Sequence, residues 1–132
     1  MSGMNSSHSS YRSQGCELVP VEFWSFLNSS IKTHKPDAFL LAEVYNPLMY
    51  RTYIHQGKMD YLYDKVGFYD TLKGIMQGKQ PANTLFKAQA EVADIEQHML
   101  HFLETHDEQR IASPDFAGNA AWGKPAMVVS NL

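Results

Sequence analysis

Apolar and polar positions along the chain change period several times, and each change predicts an element. Phe23, Trp24, Leu27 and Ile31 recur at helical spacing, with Asn28, Ser29 and Ser30 on the opposite, wet side. Pro20 suits the first turn of that helix, where a missing N–H is harmless, and Glu22 suits its positive end. Lys32, His34 and Lys35 suit the C-terminal end, and Pro36 stops it. The run Ala38-Phe39-Leu40-Leu41-Ala42 is apolar on both faces, the pattern of a buried parallel strand. A Tyr-rich connection comes next, then a weaker strand over 59–63. Phe68, Leu72, Ile75 and Met76 mark a short helix closed by Gly78. Pro81 and Asn83 introduce a longer helix with Leu85, Ala88, Val92 and Ile95 on one face, and 99–103 is a second buried-strand candidate.

The expected order is therefore helix, strand, loop, strand, helix, helix, strand, loop, helix. Such alternation predicts an α/β fold with parallel β/α units rather than a helical bundle or a sandwich. In parallel α/β architectures chemistry collects at the C-terminal ends of strands. There the first strand delivers Glu43, and the second delivers Glu104, Thr105, His106 and Asp107. Two carboxylates supplied by separate strands suit work on one bond, one protonated and the other ionised. Each acid also has a plainer reading: Glu43 as the first solvated loop residue, Asp107 as a helix or turn cap.

Composition narrows the field. At 132 residues, 44% hydrophobic and 19% charged, the chain has room for one ordinary globular domain. A single cysteine, Cys16, excludes a disulfide framework and a multi-thiolate zinc site. A net charge of −3 without a Lys/Arg block argues against nucleic acid, and no apolar run approaches a membrane span. Residues 1–16 are rich in Ser, Gly and Asn and are expected to be disordered, with residues 17–132 as the folded domain. The first fifteen residues also lack the apolar stretch of a secretory leader, which leaves the compartment open. Six histidines invite a metal reading. His98 and His101 would point to opposite faces of a strand and no H-E-x-x-H helix occurs, so no metal site is expected. Tyr45, two residues past Glu43, is the tyrosine best placed to offer a flat face to a ligand. The other tyrosines are expected to pack, and Asp60 and Asp64 to be solvated.

Two stretches carry a resemblance. Phe39-Leu40-Leu41-Ala42-Glu43-Val44-Tyr45 is similar to the strand-five motif of the α-amylase family of glycoside hydrolases, family 13. Phe102-Leu103-Glu104-Thr105-His106-Asp107-Glu108-Gln109-Arg110, with Ile111-Ala112-Ser113-Pro114-Asp115-Phe116 after it, resembles the strand-seven motif. Val19-Pro20-Val21-Glu22-Phe23-Trp24 resembles the segment downstream of the nucleophile motif in bacterial members. The match runs from about Arg12 to the C-terminus. It implies a retaining glycosidase acting on α-glucans such as starch or maltodextrins. Matched by position, Glu43 takes the acid/base role and Asp107 the role of stabilising the distorted sugar. His106 binds sugar hydroxyls, Arg110 makes a donor-side contact, and Arg12 and Tyr45 join the substrate-binding set. No cofactor is implied for this segment, although many complete family members carry calcium. Family members are often periplasmic or extracellular.

The resemblance also exposes departures. Aligning Arg12 with the family's arginine puts Gln14 where the nucleophilic Asp belongs, and a neutral amide cannot form the glycosyl-enzyme ester. Thr105 stands where Asn usually precedes His-Asp, and a hydroxyl keeps a donor and an acceptor there. A complete (β/α)₈ barrel needs about 250 residues. The chain therefore reads as a partial barrel, from the helix after strand four through the helix after strand seven, inactive by itself. The competing expectation is a non-catalytic αβ binding protein or pseudoenzyme. Its partner would be a glucan, a second copy of the chain or the missing barrel half.

Overall fold

The computed structural model describes residues 10–13 and 16–131. Gln14, the residue aligned with the nucleophile, lies outside the described residues, as do 1–9, 15 and 132. The described residues up to Leu62 form one compact unit and those from Tyr63 onward form a second.

The first unit is built on a three-stranded parallel sheet. Strand β1 (Ser10–Ser13) pairs along its length with β2 (Phe39–Ala42), which pairs in turn with β3 (Tyr61–Tyr63) through Leu41 opposite Tyr61 and Ala42 opposite Leu62. β1 falls within the segment whose composition predicts disorder. Its order comes from backbone ladder bonds to β2, which need no apolar side chain and leave no compositional trace. Buried Cys16 likewise begins a short 3₁₀ turn, Cys16–Leu18, inside the segment expected to be disordered.

Helix α1 (Val21–His34) opens after Pro20 and ends just before Pro36, where the Lys35 N–H closes onto the Ile31 carbonyl. Its buried side chains are Trp24 and Asn28, so Asn28 is not on the wet face. The amide is stable there because it donates to the Gly57 carbonyl at 2.8 Å, which satisfies a buried polar group at both ends. The Tyr-rich connection is itself partly helical. Asn46 caps a 3₁₀ turn, Pro47–Met49, which runs into α2 (Tyr50–His55). Tyr50, Tyr53 and Ile54 are buried, as are the sheet residues Leu40, Ala42 and Leu62 of the same unit. Cys16's carbonyl gathers two buried donors, Trp24 Nε1 at 3.1 Å and Tyr53 Oη at 2.9 Å. Asp60 is not simply solvated: it accepts the Leu40 N–H at 2.8 Å and pairs with Lys32 at 2.6 Å, tying α1 to β2.

In the second unit a π-helical turn, Lys65–Tyr69, leads into α3 (Asp70–Met76), which stops at Gly78 in the left-handed region at φ 70°. Helix α4 (Thr84–Glu91) is shorter than its pattern implies. Val92 and Ile95 are buried as expected but sit on turns, because the periodicity marks burial and does not require continuous helix. Strand β4 covers only Met99–Leu100, less than the apolar run over 99–103. Phe102 and Leu103 pack instead against the aromatic core of Phe68, Tyr69, Leu72 and Phe116. Helix α5 (Ala120–Val129), capped by Asn119 on the Trp122 N–H, closes that core with Ala126.

Candidate functional site

The expected site residues fall into two groups, one in each unit. In the first, β2 runs directly into Glu43. The strand is pinned on both edges, and the carboxyl-bearing residue after it is buried, 6% exposed. A first solvated loop residue would not be. The Tyr45 hydroxyl lies 3.5 Å from Glu43 Oε2, while much of the ring faces outward. The loop beyond is held by Glu17, which accepts the Asn46 N–H at 2.6 Å. Burial pushes the neighbouring Cys16 thiol up to about 11, against the Glu43 backbone N–H that favours the thiolate; the Glu43 carboxylate adds to the rise. Cys16 is thus an inert packing thiol beside the glutamate. Arg12 occupies β1 opposite Leu41 in backbone register.

In the second unit, β4 leads through Phe102 and Leu103 to Glu104. His106 Nε2 and Asp107 Oδ2 are 3.1 Å apart and both side chains are half-exposed. The Asp107 N–H donates to Thr105 Oγ1 at 3.3 Å, so the threonine supplies a local turn contact in the place where the resemblance expects asparagine. Glu104 Oε1 accepts the Ile111 N–H at 2.8 Å and Oε2 lies 3.4 Å from Arg110 Nε. Arg110 is largely exposed beyond that contact.

Asp64 is not solvated as its sequence setting implies. It comes directly after β3 as Glu43 comes after β2, so the rule that finds Glu43 applies to it equally, but the polar neighbourhood of the weak strand suggests solvation. It is 2% exposed. Its Oδ1 accepts the Phe68 N–H at 2.8 Å, capping the π turn, and its own N–H donates to the Leu100 carbonyl at 3.0 Å. Its Oδ2 lies 3.8 Å from His101 Nε2, and the His101 ring stacks on Phe68 with centroids 3.8 Å apart. A side chain at Gly67 would displace the cap, since its Cβ would come within 2.7 Å of Asp64 Oδ1.

Burial lifts the Asp64 carboxyl above its usual range, with the Phe68 N–H, His101 and the Gly67 N–H pulling the other way. Folding therefore favours the protonated acid. That contribution to stability is full below the unfolded-state value of about 3.9 and is lost as pH rises through the raised folded value. Asp64→Asn keeps a carbonyl oxygen for the cap and cannot ionise. It is expected to gain stability over the parent at about pH 7 and to lose that advantage toward about pH 4. Asp64→Leu, which orphans the Phe68 N–H and equally cannot ionise, should be about 1–3 kcal/mol less stable than Asp64→Asn at every pH. Urea midpoints across that range check both, and an Asn variant with no pH-dependent difference from the parent would refute the desolvation account.

Among the described residues no three His, Cys, Asp or Glu side chains converge to hold a metal, and no helix is long and apolar enough to cross a membrane. The fold is similar to that of a noncanonic maltogenic α-amylase from Thermotoga neapolitana, with a TM-score of 0.62 and 24% identity over 79% of this chain and 24% of that one. The chain thus spans about a quarter of the length of the amylase it matches. The similarity establishes an α/β, amylase-like fold. No family model matches the sequence, and no curated protein matches it.

Proposed function

We propose, from an amylase-like fold that carries a buried glutamate at a strand end, that the chain is a segment of a retaining α-glucan glycosidase. Its form would be a partial (β/α)₈ barrel, from the helix after strand four through the helix after strand seven. The observation that carries the proposal is Glu43: buried directly after β2, within a stretch that resembles the strand-five motif. A glycosidic acid gives its proton to the leaving oxygen and takes one back from water, and shielding from bulk solvent favours that exchange. Glu43 has the shielding, and Tyr45 is near enough to orient one of its oxygens. Asp107 is assigned to charge stabilisation at the anomeric centre. His106, held against it, is assigned to sugar hydroxyls, with Arg110, Arg12 and Tyr45 as further sugar contacts.

Gln14 favours a second reading. Without a carboxylate to attack the anomeric carbon there is no covalent intermediate, and the chain would act as a non-catalytic binder of a glucan or of a protein partner. Calorimetric titration with maltoheptaose separates the two. A catalytic segment holding part of a cleft is expected to bind at about 1 mM or weaker, since affinity falls tenfold per about 1.4 kcal/mol of lost contact. Micromolar binding abolished by His106→Ala would favour the dedicated binder. No heat at any attainable maltoheptaose concentration, together with an inactive graft of the kind described in the Discussion, would sink the glucan reading.

A further inference from the structure

Glu108 comes directly after the exposed His106-Asp107 pair, yet only 15% of its side chain is accessible. Its Oε1 lies 2.9 Å from Lys65 Nζ and its Oε2 3.9 Å from Lys73 Nζ. Lys65 belongs to the π turn, Lys73 to α3, and Lys65 reaches on to Asp70 at 2.6 Å. Both ammonium groups also lie over the Tyr69 ring, at 5.0 and 5.7 Å from its centroid. Tyr69 is itself fully buried and stacks on Phe102, just ahead of the loop. On its other flank the loop is closed by Glu104 on the Ile111 N–H.

We infer that Glu108 is a positioning residue: its carboxylate, clamped by Lys65 and Lys73 over Tyr69, anchors the His106-Asp107 loop to the π turn and α3. The assignment of a task to that loop rests on the glycosidase reading; the anchor itself rests on the contacts. The geometry suits the purpose. Asp107 and His106 are half-exposed and lie against each other. Glu108 is one residue away and its clamp reaches two other elements. π turns are rare and often sit at functional sites, and this one carries Lys65, whose ammonium lies over the Tyr69 ring. Burial pulls the Lys65 ammonium down, but its hydrogen bonds to Asp70 and Glu108 outweigh that and hold it above its usual value, so Lys65 stays charged at neutral pH. A partly buried network of two lysines and two carboxylates on a ring face exceeds the small worth of an isolated surface pair.

Hydrogen exchange on the full chain, read by mass spectrometry, tests the anchor. In Glu108→Gln and in Lys65→Gln, peptides covering 104–111 are expected to exchange about five- to tenfold faster. The double variant should add nothing further, and Lys65→Arg should stay near the parent. Peptides covering α4 should keep their rate. Unchanged exchange in 104–111, or an equal acceleration across the whole second unit, would overturn the anchor. If Glu108→Gln fails to fold, the contrast between Lys65→Gln and Lys65→Arg decides by the same criterion. A catalytic readout comes from the active graft described in the Discussion. There Glu108→Gln is expected to lower kcat about tenfold with KM within about twofold, because a loosened loop loses alignment more than affinity. A graft that is inactive while the loop still loosens on Glu108→Gln sinks the glycosidase reading and keeps the anchor. An active graft whose kcat and loop exchange ignore Glu108→Gln overturns the anchor alone.

Discussion

Grafted into a full-length α-amylase in place of the matching segment, the chain is expected to give no turnover of maltodextrins, to become active on Gln14→Asp, and to lose that activity again on Glu43→Gln. The reasons are chemical. Retaining hydrolysis needs one carboxylate to attack the anomeric carbon and an acid about 5 Å from it to protonate the leaving oxygen. The resemblance puts Gln14 in the first role, and an amide has no charge to attack with. In the grafted Gln14→Asp enzyme, Glu43→Gln should lower kcat by about 10²–10⁴, the usual worth of a general acid–base group. Glu43 is buried, and Gln preserves its volume, so the loss should come with an unchanged fold by circular dichroism. The 132-residue chain alone should be inactive with either residue at position 14, because a partial cleft leaves the preorganised electrostatics of the site incomplete. Turnover by the unmodified chain that disappears on Glu43→Gln would show that the missing nucleophile is not what limits it.

Phe68→Ala should destabilise the second unit by about 3–5 kcal/mol, the cost of removing a fully packed aromatic ring. Phe68 is 1% exposed and clusters with Tyr69, Leu72, Phe116 and Ala126, and its ring stacks on His101. Its N–H is also the one Asp64 caps, so the empty space would open beside a buried carboxyl. The neighbouring rings are already engaged: Tyr69 is stacked on Phe102, and Phe116 is packed against Tyr69. Phe86→Ala is the matched control, since that residue is 73% exposed on α4 and its loss should shift stability by no more than about 0.5 kcal/mol. Chemical denaturation of both variants reads the difference. A Phe68 variant no less stable than the Phe86 variant would mean that this cluster is not the core of the unit.

The elements legible in the sequence are those whose stability is local or whose burial is nearly complete. The run Ala38–Ala42 reads as a strand because it is apolar on both faces, and α1 reads as a helix because Pro20 and Pro36 bracket its period. Gly78 marks the end of α3 for a reason visible in one residue, the left-handed backbone that only glycine adopts cheaply. Glu43 is legible too, since an acid directly after a buried strand is visible without coordinates, as is the placing of Tyr45 beside it. The sequence by itself determines, then, an α/β chain with Glu43 at the end of a buried strand.

Tertiary structure decided the rest, and in each case through a partner on another part of the chain. β1 is a strand because β2 offers it a hydrogen-bonding edge, a property of the neighbour rather than of Ser10–Ser13. Asn28 faces inward because the Gly57 carbonyl, 29 residues away, accepts from its amide. Asp64 is buried because the π turn presents an N–H to its carboxylate, and Asp60 is held because Lys32 and the Leu40 N–H converge on it. Glu108 is a surface charge in any window of sequence and becomes an anchor only when Lys65 and Lys73 fold against it. A polar side chain carries no local record of whether it will be desolvated. Its burial is settled by whether a complementary group arrives, and only the folded chain brings that group.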